Sequence, residues 1–314
     1  MNRRASVAAA MAVLVAALSA RAQPHTRVGL VTTTPTFRDA FLDSLQRIGY
    51  QNGRNITIDW RPNPRGEAHD VEELVSLHPD CLVLAGPLNL AHGRRLTSTI
   101  PIVTIDLESD PVASGIVASL GRPGGNVTGI FLDLPELAGK QIQFLREILP
   151  GLKRLAVMWQ DPVALPQFRA AEAAALAAGI ALVPIGVRTV ADVEAGVTRA
   201  MASKPQALLV LTGPTVFPNR VTIVNSARVH GLPLASVFPG FAEVGALLGY
   251  GPDQAGLFRQ AATYVDRILR GARPADLPVE RPTTFQLVIN LRTTKALGLE
   301  IPPSLLGRAD QVIV

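Results

Sequence analysis

The stretch SLGRPGGNVTGIF at residues 119–131 has the composition of a phosphate-binding loop, with glycines and a proline ahead of a β-branched run. A Walker loop needs Gly-Lys-Ser/Thr entering a helix, and a dinucleotide fingerprint needs a helix N-terminus for the pyrophosphate. Here GRPGGN is followed by VTGIF, which reads as a strand. The glycines are therefore expected in a tight turn, with Gly124 and Gly125 supplying positive φ. No nucleotide or other cofactor is expected. His69 and Glu73 stand four apart on a predicted helix, the spacing of two metal ligands. A zinc site needs at least one more ligand nearby, so a solvated helix face is the better account. The other histidines, at 25, 78, 92 and 230, sit in no catalytic spacing, and neither Gly-x-Ser-x-Gly nor His-Glu-x-x-His occurs. The sole cysteine, Cys81 in DCLVLAG, is expected as a buried core thiol. These absences argue against an enzyme.

The ends and the charge narrow the classes further. MNRR, the apolar run ASVAAAMAVLVAALS and then ARAQ have the form of an export signal, with cleavage expected after Ala22. A membrane span would need roughly 20 apolar residues, and this run stops at Arg21. Residues 1–22 carry Arg3, Arg4 and Arg21 and no acid, so their removal lowers the formal net charge from +5 by three, to +2. No basic block remains to follow a phosphate backbone, which excludes nucleic acid as a partner.

Elements that could position a site alternate along the chain. RVGLV (27–31), NITIDW (55–60), CLVLAG (81–86) and IPIVTID (100–106) read as strands, separated by helical stretches. Phe37, Phe41, Leu45 and Ile48 share one face of the first helix. The pattern then starts again, roughly 130 residues on, with RLAVMWQDP (154–162), KPQALLVLTGP (204–214) and GLPLASVF (231–238); that period is far too long for a solenoid. Strands apolar on both faces and alternating with helices imply parallel sheets covered on two sides, here in two tandem α/β lobes. Ligands of such sheets bind beyond the carboxyl ends of the strands. That places a site among TTTPT (32–36), AGPLN (85–89), DLESDP (106–111), WQDP (159–162), LTGPTVF (211–217) and SVFPGF (236–241).

SLGRPGGNVTGI, ELAGKQIQFLREILPGLKRLAVMWQDP, LLGYGPD and ADLPVERPTTFQLVINLRTTKALGLEIPPSLLGRAD occur in this order over nearly all the chain beyond the leader. In them the chain resembles the ABC-transporter substrate-binding proteins that include tryptophan and tyrosine binders. The resemblance implies a type I periplasmic binding protein: two Rossmann-like lobes joined by a three-strand hinge and closing on a ligand. It divides the chain into 27–130 with 252–282 as the N-terminal lobe, and 131–251 with 283–314 as the C-terminal lobe. Residues 119–131 mark the end of the first copy, and Gly124, Gly125, Gly249 and Gly251 are expected near the turning points of the hinge.

The same resemblance implies a small solute, often an amino acid with an apolar or aromatic side chain. Thr32, Thr33, Thr34, Thr212 and Thr215, with Gly86, would then serve a carboxylate at helix starts. Asp110 and Asp161, with Asp106 and Glu108, would pair with an ammonium. Phe37, Trp159, Phe217 and Phe238 would wall an apolar part. The chain departs from the family pattern at Gly86-Pro87-Leu88, Gly213-Pro214 and Ser236, where polar side chains are common in other members, so the ligand need not be theirs. The implied role is the periplasmic solute-binding component of an ABC importer, capturing an amino acid or other small carboxylate in the interlobe cleft by domain closure. Its partner would be an inner-membrane permease with a cytoplasmic ATPase. A periplasmic sensing subunit that signals to a membrane receptor is the alternative.

Overall fold

The computed structural model describes residues 26–63, 66–107, 109–131, 135–161 and 163–314. The expected leader and its cleavage point, Glu108 and Pro162 lie outside the described residues. β1 (Thr26–Thr32), β2 (Ile56–Pro62), β3 (Cys81–Ala85), β4 (Ile102–Asp106) and β5 (Val127–Phe131) form one sheet in the order β2-β1-β3-β4-β5, every pair parallel. α1 (Pro35–Arg47), α2 (Ala68–Ser76) and α3 (Pro87–Leu96) connect them.

β3 shows why the sheet is covered on both faces. Cys81, Val83 and Ala85 enter one apolar cluster with Phe41 and Leu45 of α1, whereas Leu82 and Leu84 enter another with Val71, Leu74 and Leu90 of α2 and α3. A strand that alternates between two cores must be apolar at every position. α1 starts at Pro35, where a missing N–H costs nothing. It ends where Gly49, at φ +102, lets the Tyr50 N–H return to the Leu45 carbonyl. Ile48, expected on the core face, is the exposed residue at that stop.

Cys81 is fully buried, and burial raises its thiol pKa to about 12. At pH 8 the folded protein is therefore expected to resist a thiol reagent for hours and to be modified at once in denaturant. Rapid labelling without denaturant would contradict this core position.

β6 (Arg154–Gln160), β7 (Ala181–Val187), β8 (Ala207–Val210), β9 (Leu234–Ser236), β10 (Leu248–Pro252), β11 (Phe285–Asn290) and β12 (Gln311–Ile313) form the second sheet. Its order is β12-β11-β10-β9-β8-β6-β7, parallel except for the β10–β11 pair. α4 (Pro135–Ile148) packs on α5 (Leu165–Ala177), and α6 (Val190–Ala200) on α7 (Arg220–Val229), with the short α8 (Gly240–Glu243) after β9. α9 (Gln254–Leu269) follows β10 but returns to the first sheet, packing along α1 and over β4. Asp253 caps it by accepting from the Gly256 N–H at 3.0 Å. α10 (Leu291–Ala296) and α11 (Pro303–Leu306) lie between β11 and β12.

The α/β class with two tandem parallel-sheet lobes is thus as the sequence predicts. The chain passes between lobes after Phe131, at Asp253, and between Glu280 and Phe285. These crossings are stitched together: Phe131 N–H donates to the Glu280 carbonyl, Glu280 N–H to Gly129, and Asp253 N–H to Thr284, at 3.0–3.1 Å.

Of the four glycines expected near the turning points, Gly249 and Gly251 lie shortly before the crossing at Asp253. Gly124 does take positive φ (+81), whereas Gly125 does not. Both precede β5, at the end of the strand away from the crossing. Gly249 and Gly251 lie within β10, where a Cβ would meet the backbone of Val237–Pro239, at 1.8 Å from the Val237 oxygen in the case of Gly251. Close packing of β10 on the β9 loop requires them.

Candidate functional site

The carboxyl ends of the two sheets meet around a cavity of ≈ 100 Å³. The first lobe lines it through Thr33 and Phe37 after β1, Asn63 and Gly66 after β2, Ala85–Asn89 after β3, and Ile105 with Leu107 at β4. The second lobe contributes Gly213, Pro214, Phe217, Pro218 and Phe238; α9 adds Gln254, Leu257 and Phe258.

Two aromatic pairs dominate this lining. Phe37 stacks on Phe258 with centroids 4.9 Å apart, joining α1 to α9 on the first-lobe side. Phe217 meets Phe238 edge to face at 5.0 Å on the other side. Behind Phe217 the Arg220 guanidinium lies 4.8 Å over the ring and donates to the Phe217 carbonyl at 3.3 Å. Burial depresses the pKa of that guanidinium, and Glu243 opposes the shift.

Among the described residues that line the cavity, the polar ones are neutral. Gly86, at φ +89, turns the chain from β3 into α3, and Pro87 opens the helix. One turn in, Asn89 donates to the Ala85 carbonyl at 2.7 Å and accepts from Asn63 at 3.1 Å. Asn63 also holds both the N–H and the carbonyl of Glu67. The two buried amides thereby fasten the loop after β2 to the start of α3. Asn89→Ala is expected to cost about 1–3 kcal/mol, since it leaves an Asn63 donor buried without a partner. An unchanged urea midpoint would rule out this fastening role.

Of the residues singled out from sequence, Thr33, Phe37, Gly86, Phe217 and Phe238 come together in this lining. The others are engaged elsewhere. Thr32 is buried at the end of β1, donating to Thr34 O and accepting from Trp60 Nε1. Thr34 stands at the N-cap position of α1 and outside the lining, but its hydroxyl makes no capping bond and is buried without a hydrogen-bond partner among the described residues. Thr212 donates to Gln167 at 2.7 Å, and the Thr215 N–H donates to Gln160. Asp110 accepts from the Val112 and Ala113 N–H groups in a turn. Asp161 pairs with Arg188 at 2.6 Å. Trp159 stacks on Phe168 at 3.9 Å. The sheet order explains the last two: β6 lies next to the edge strand β7, while the cavity is lined from the β8 and β9 loops.

Sequence reasoning placed Asn89 and Leu107 in site loops without singling them out, and it missed Asn63, Ile105, Gln254, Leu257 and Phe258. The strand-end rule, applied to β2 as to its neighbours, would have found Asn63. His69 Nε2 lies 3.0 Å from a Glu73 carboxylate oxygen, and Glu73 also takes Arg61 at 2.9 Å. That second bond holds the Glu73 carboxyl below its usual range.

Comparison with known proteins adds the relatives. A family model described as ABC transporter substrate binding protein matches residues 33–313. The tyrosine-binding protein of Clostridioides difficile is 24% identical over 271 residues, covering 84% of this chain and 76% of that protein. Among solved structures, a conserved domain protein of Vibrio cholerae aligns with TM-score 0.82 at 28% identity, over 91% of this chain and 99% of that one. An ABC domain from Streptococcus pneumoniae in complex with L-Trp also aligns with TM-score 0.82, at 26% identity, over 92% and 100% of the two chains.

Proposed function

The chain belongs to the ABC transporter substrate-binding protein family, and from that premise we propose that it captures a small solute with an aromatic body between its lobes for import. The observation that carries this is the cavity of ≈ 100 Å³ with an aromatic pair on either side, Phe37–Phe258 and Phe217–Phe238. A solute touching both sides favours the arrangement in which they are close, so binding and closure are one equilibrium.

In this reading residues 27–130 with 252–282 move as one lobe and 131–251 with 283–314 as the other, about the three stitched crossings. The ligand-binding set is Thr33, Phe37, Gly86, Phe217 and Phe238, extended by Asn89, Gln254 and Phe258. The protein is exported with cleavage after Ala22 and delivers its solute to an inner-membrane permease driven by a cytoplasmic ATPase. It catalyses no reaction.

The names of the relatives put aromatic amino acids and their simple derivatives first on the test panel. The expected result is a clear rise in melting temperature with at least one member. At ~100 times its Kd a ligand stabilises the folded state by about 2.7 kcal/mol. A panel of single- and double-ring aromatic solutes that left the melting temperature unmoved would overturn the proposal.

A further inference from the structure

Gly240 is the first residue of α8, two positions after Phe238. Among the described residues, a Cβ on it would lie 3.9 Å from Phe217 Cε2, 4.0 Å from Gln254 Oε1 and 4.0 Å from Glu243 Oε2. Two of these neighbours line the cavity, Phe217 from the second lobe and Gln254 from α9, which packs on the first. A side chain at this one position would therefore touch lining residues from both sides. The fold itself does not ask for glycine here. Gly240 is not among the glycines of positive φ, and all three distances are ordinary van der Waals contacts. Gly213, which also lines the cavity, differs: a Cβ on it would lie 2.3 Å from Gln160 Cβ. Glycine is also a weaker helix former than alanine, so α8 gains nothing from it.

Size is what the position controls. A methyl group is accommodated at the distances above. Valine adds two further carbons to the same Cβ, fills two of its three staggered positions and is stiff at χ1. Glu243 is exposed, and its carboxylate can swing aside. Phe217 is less free, with the Arg220 guanidinium 4.8 Å over its ring, and Gln254 stands in the first turn of α9 beside the Asp253 cap. Crowding at Gly240 is therefore passed to the ring and the amide. Displacing them narrows the cavity or holds the lobes apart, and either change disfavours the ligand-bound arrangement.

We propose that Gly240 is a specificity-determining residue of the interlobe cavity. By carrying no side chain it sets how closely Phe217 and Gln254 approach a solute, and so the largest solute the lobes close on. The inference rests on the cavity being the ligand site. The test is calorimetric titration of the purified parent, Gly240→Ala, Gly240→Val and Phe217→Ala with L-phenylalanine, L-tyrosine, L-tryptophan and phenylacetate. Gly240→Ala is expected to keep each affinity within about threefold. Gly240→Val is expected to weaken every solute the parent binds by about tenfold or more, the larger rings most. Its ligand-free melting temperature should stay within ~2 °C of the parent's, since the core is untouched. A smaller loss in Gly240→Val, beside a clear loss in Phe217→Ala, overturns the role of Gly240 and leaves the aromatic site standing. Equal losses in the alanine and valine variants would mean that size is not the cause. A preference shifted toward the larger rings would contradict a size limit, and a larger fall in melting temperature would make the glycine structural. Each of these also overturns the inference. If Gly240→Val and Phe217→Ala both bind as the parent does, or the parent binds none of the four, the aromatic-site reading falls and this inference with it.

Discussion

Gly129→Ala is expected to remove about 2–6 kcal/mol of folding stability, the sum of backbone strain and overpacking. Gly129 sits in the middle of β5 with φ +134, and a Cβ there would lie 2.2 Å from the Thr104 carbonyl oxygen and 2.6 Å from its nitrogen. Both obstacles are backbone, so no rotamer change relieves them. β5 cannot simply move away. On one side it pairs with β4 in the register Thr104↔Gly129; on the other the Gly129 carbonyl accepts from Glu280, in the stretch where the chain crosses between lobes. Against a total stability of about 5–15 kcal/mol the loss is large. Urea unfolding followed by circular dichroism measures it, and a midpoint within error of the parent would refute the close approach. Two neighbours serve as controls. Gly124→Ala meets only Ala118 Cβ at 3.5 Å, although its φ is +81, and Gly125→Ala meets open space. The first should cost about 1 kcal/mol and the second close to nothing.

Phe217→Ala is expected to weaken capture of an aromatic solute by ~30-fold, about 2 kcal/mol. The ring lines the cavity, meets Phe238 edge to face at 5.0 Å, and is backed by the Arg220 guanidinium. Under the proposed function its removal would take away one of the second lobe's aromatic contacts with the solute and weaken the bias toward closure. The stability cost should be smaller than for a core phenylalanine such as Phe41, because Phe217 is only half-buried. Trp159→Phe is the contrasting variant. Trp159 stacks on Phe168 beside the edge strand, so its replacement should leave affinity unchanged. Titration of both variants with whichever aromatic solute raises the melting temperature decides the matter. If Trp159→Phe lost affinity and Phe217→Ala kept it, the site would have to be moved to the end of β6.

That contrast shows where sequence reasoning reached its limit. A large aromatic at a strand end is a good candidate wall, and Trp159 and Phe217 both meet the description. Nothing in local periodicity distinguishes them. Phe258 failed in the opposite way: its spacing with Leu257, Ala261 and Val265 marks a core face of α9, and it is indeed buried in that core. Being in the first turn after a crossing, it also looks onto the cavity.

The sequence by itself determined the α/β class, the two rounds of strand and helix, the helix stops and the family. Each of these is written in contacts between residues near in the chain, or in patterns of burial that every parallel sheet imposes. Only the tertiary structure decided which strand-end loops meet. The sheet orders β2-β1-β3-β4-β5 and β12-β11-β10-β9-β8-β6-β7 set how far each loop stands from the junction of the lobes. The crossings carry α9 back to the first sheet, where Phe258 reaches Phe37. Both depend on pairings between residues far apart in the chain. A strand's own apolar pattern is the same whichever neighbour it pairs with.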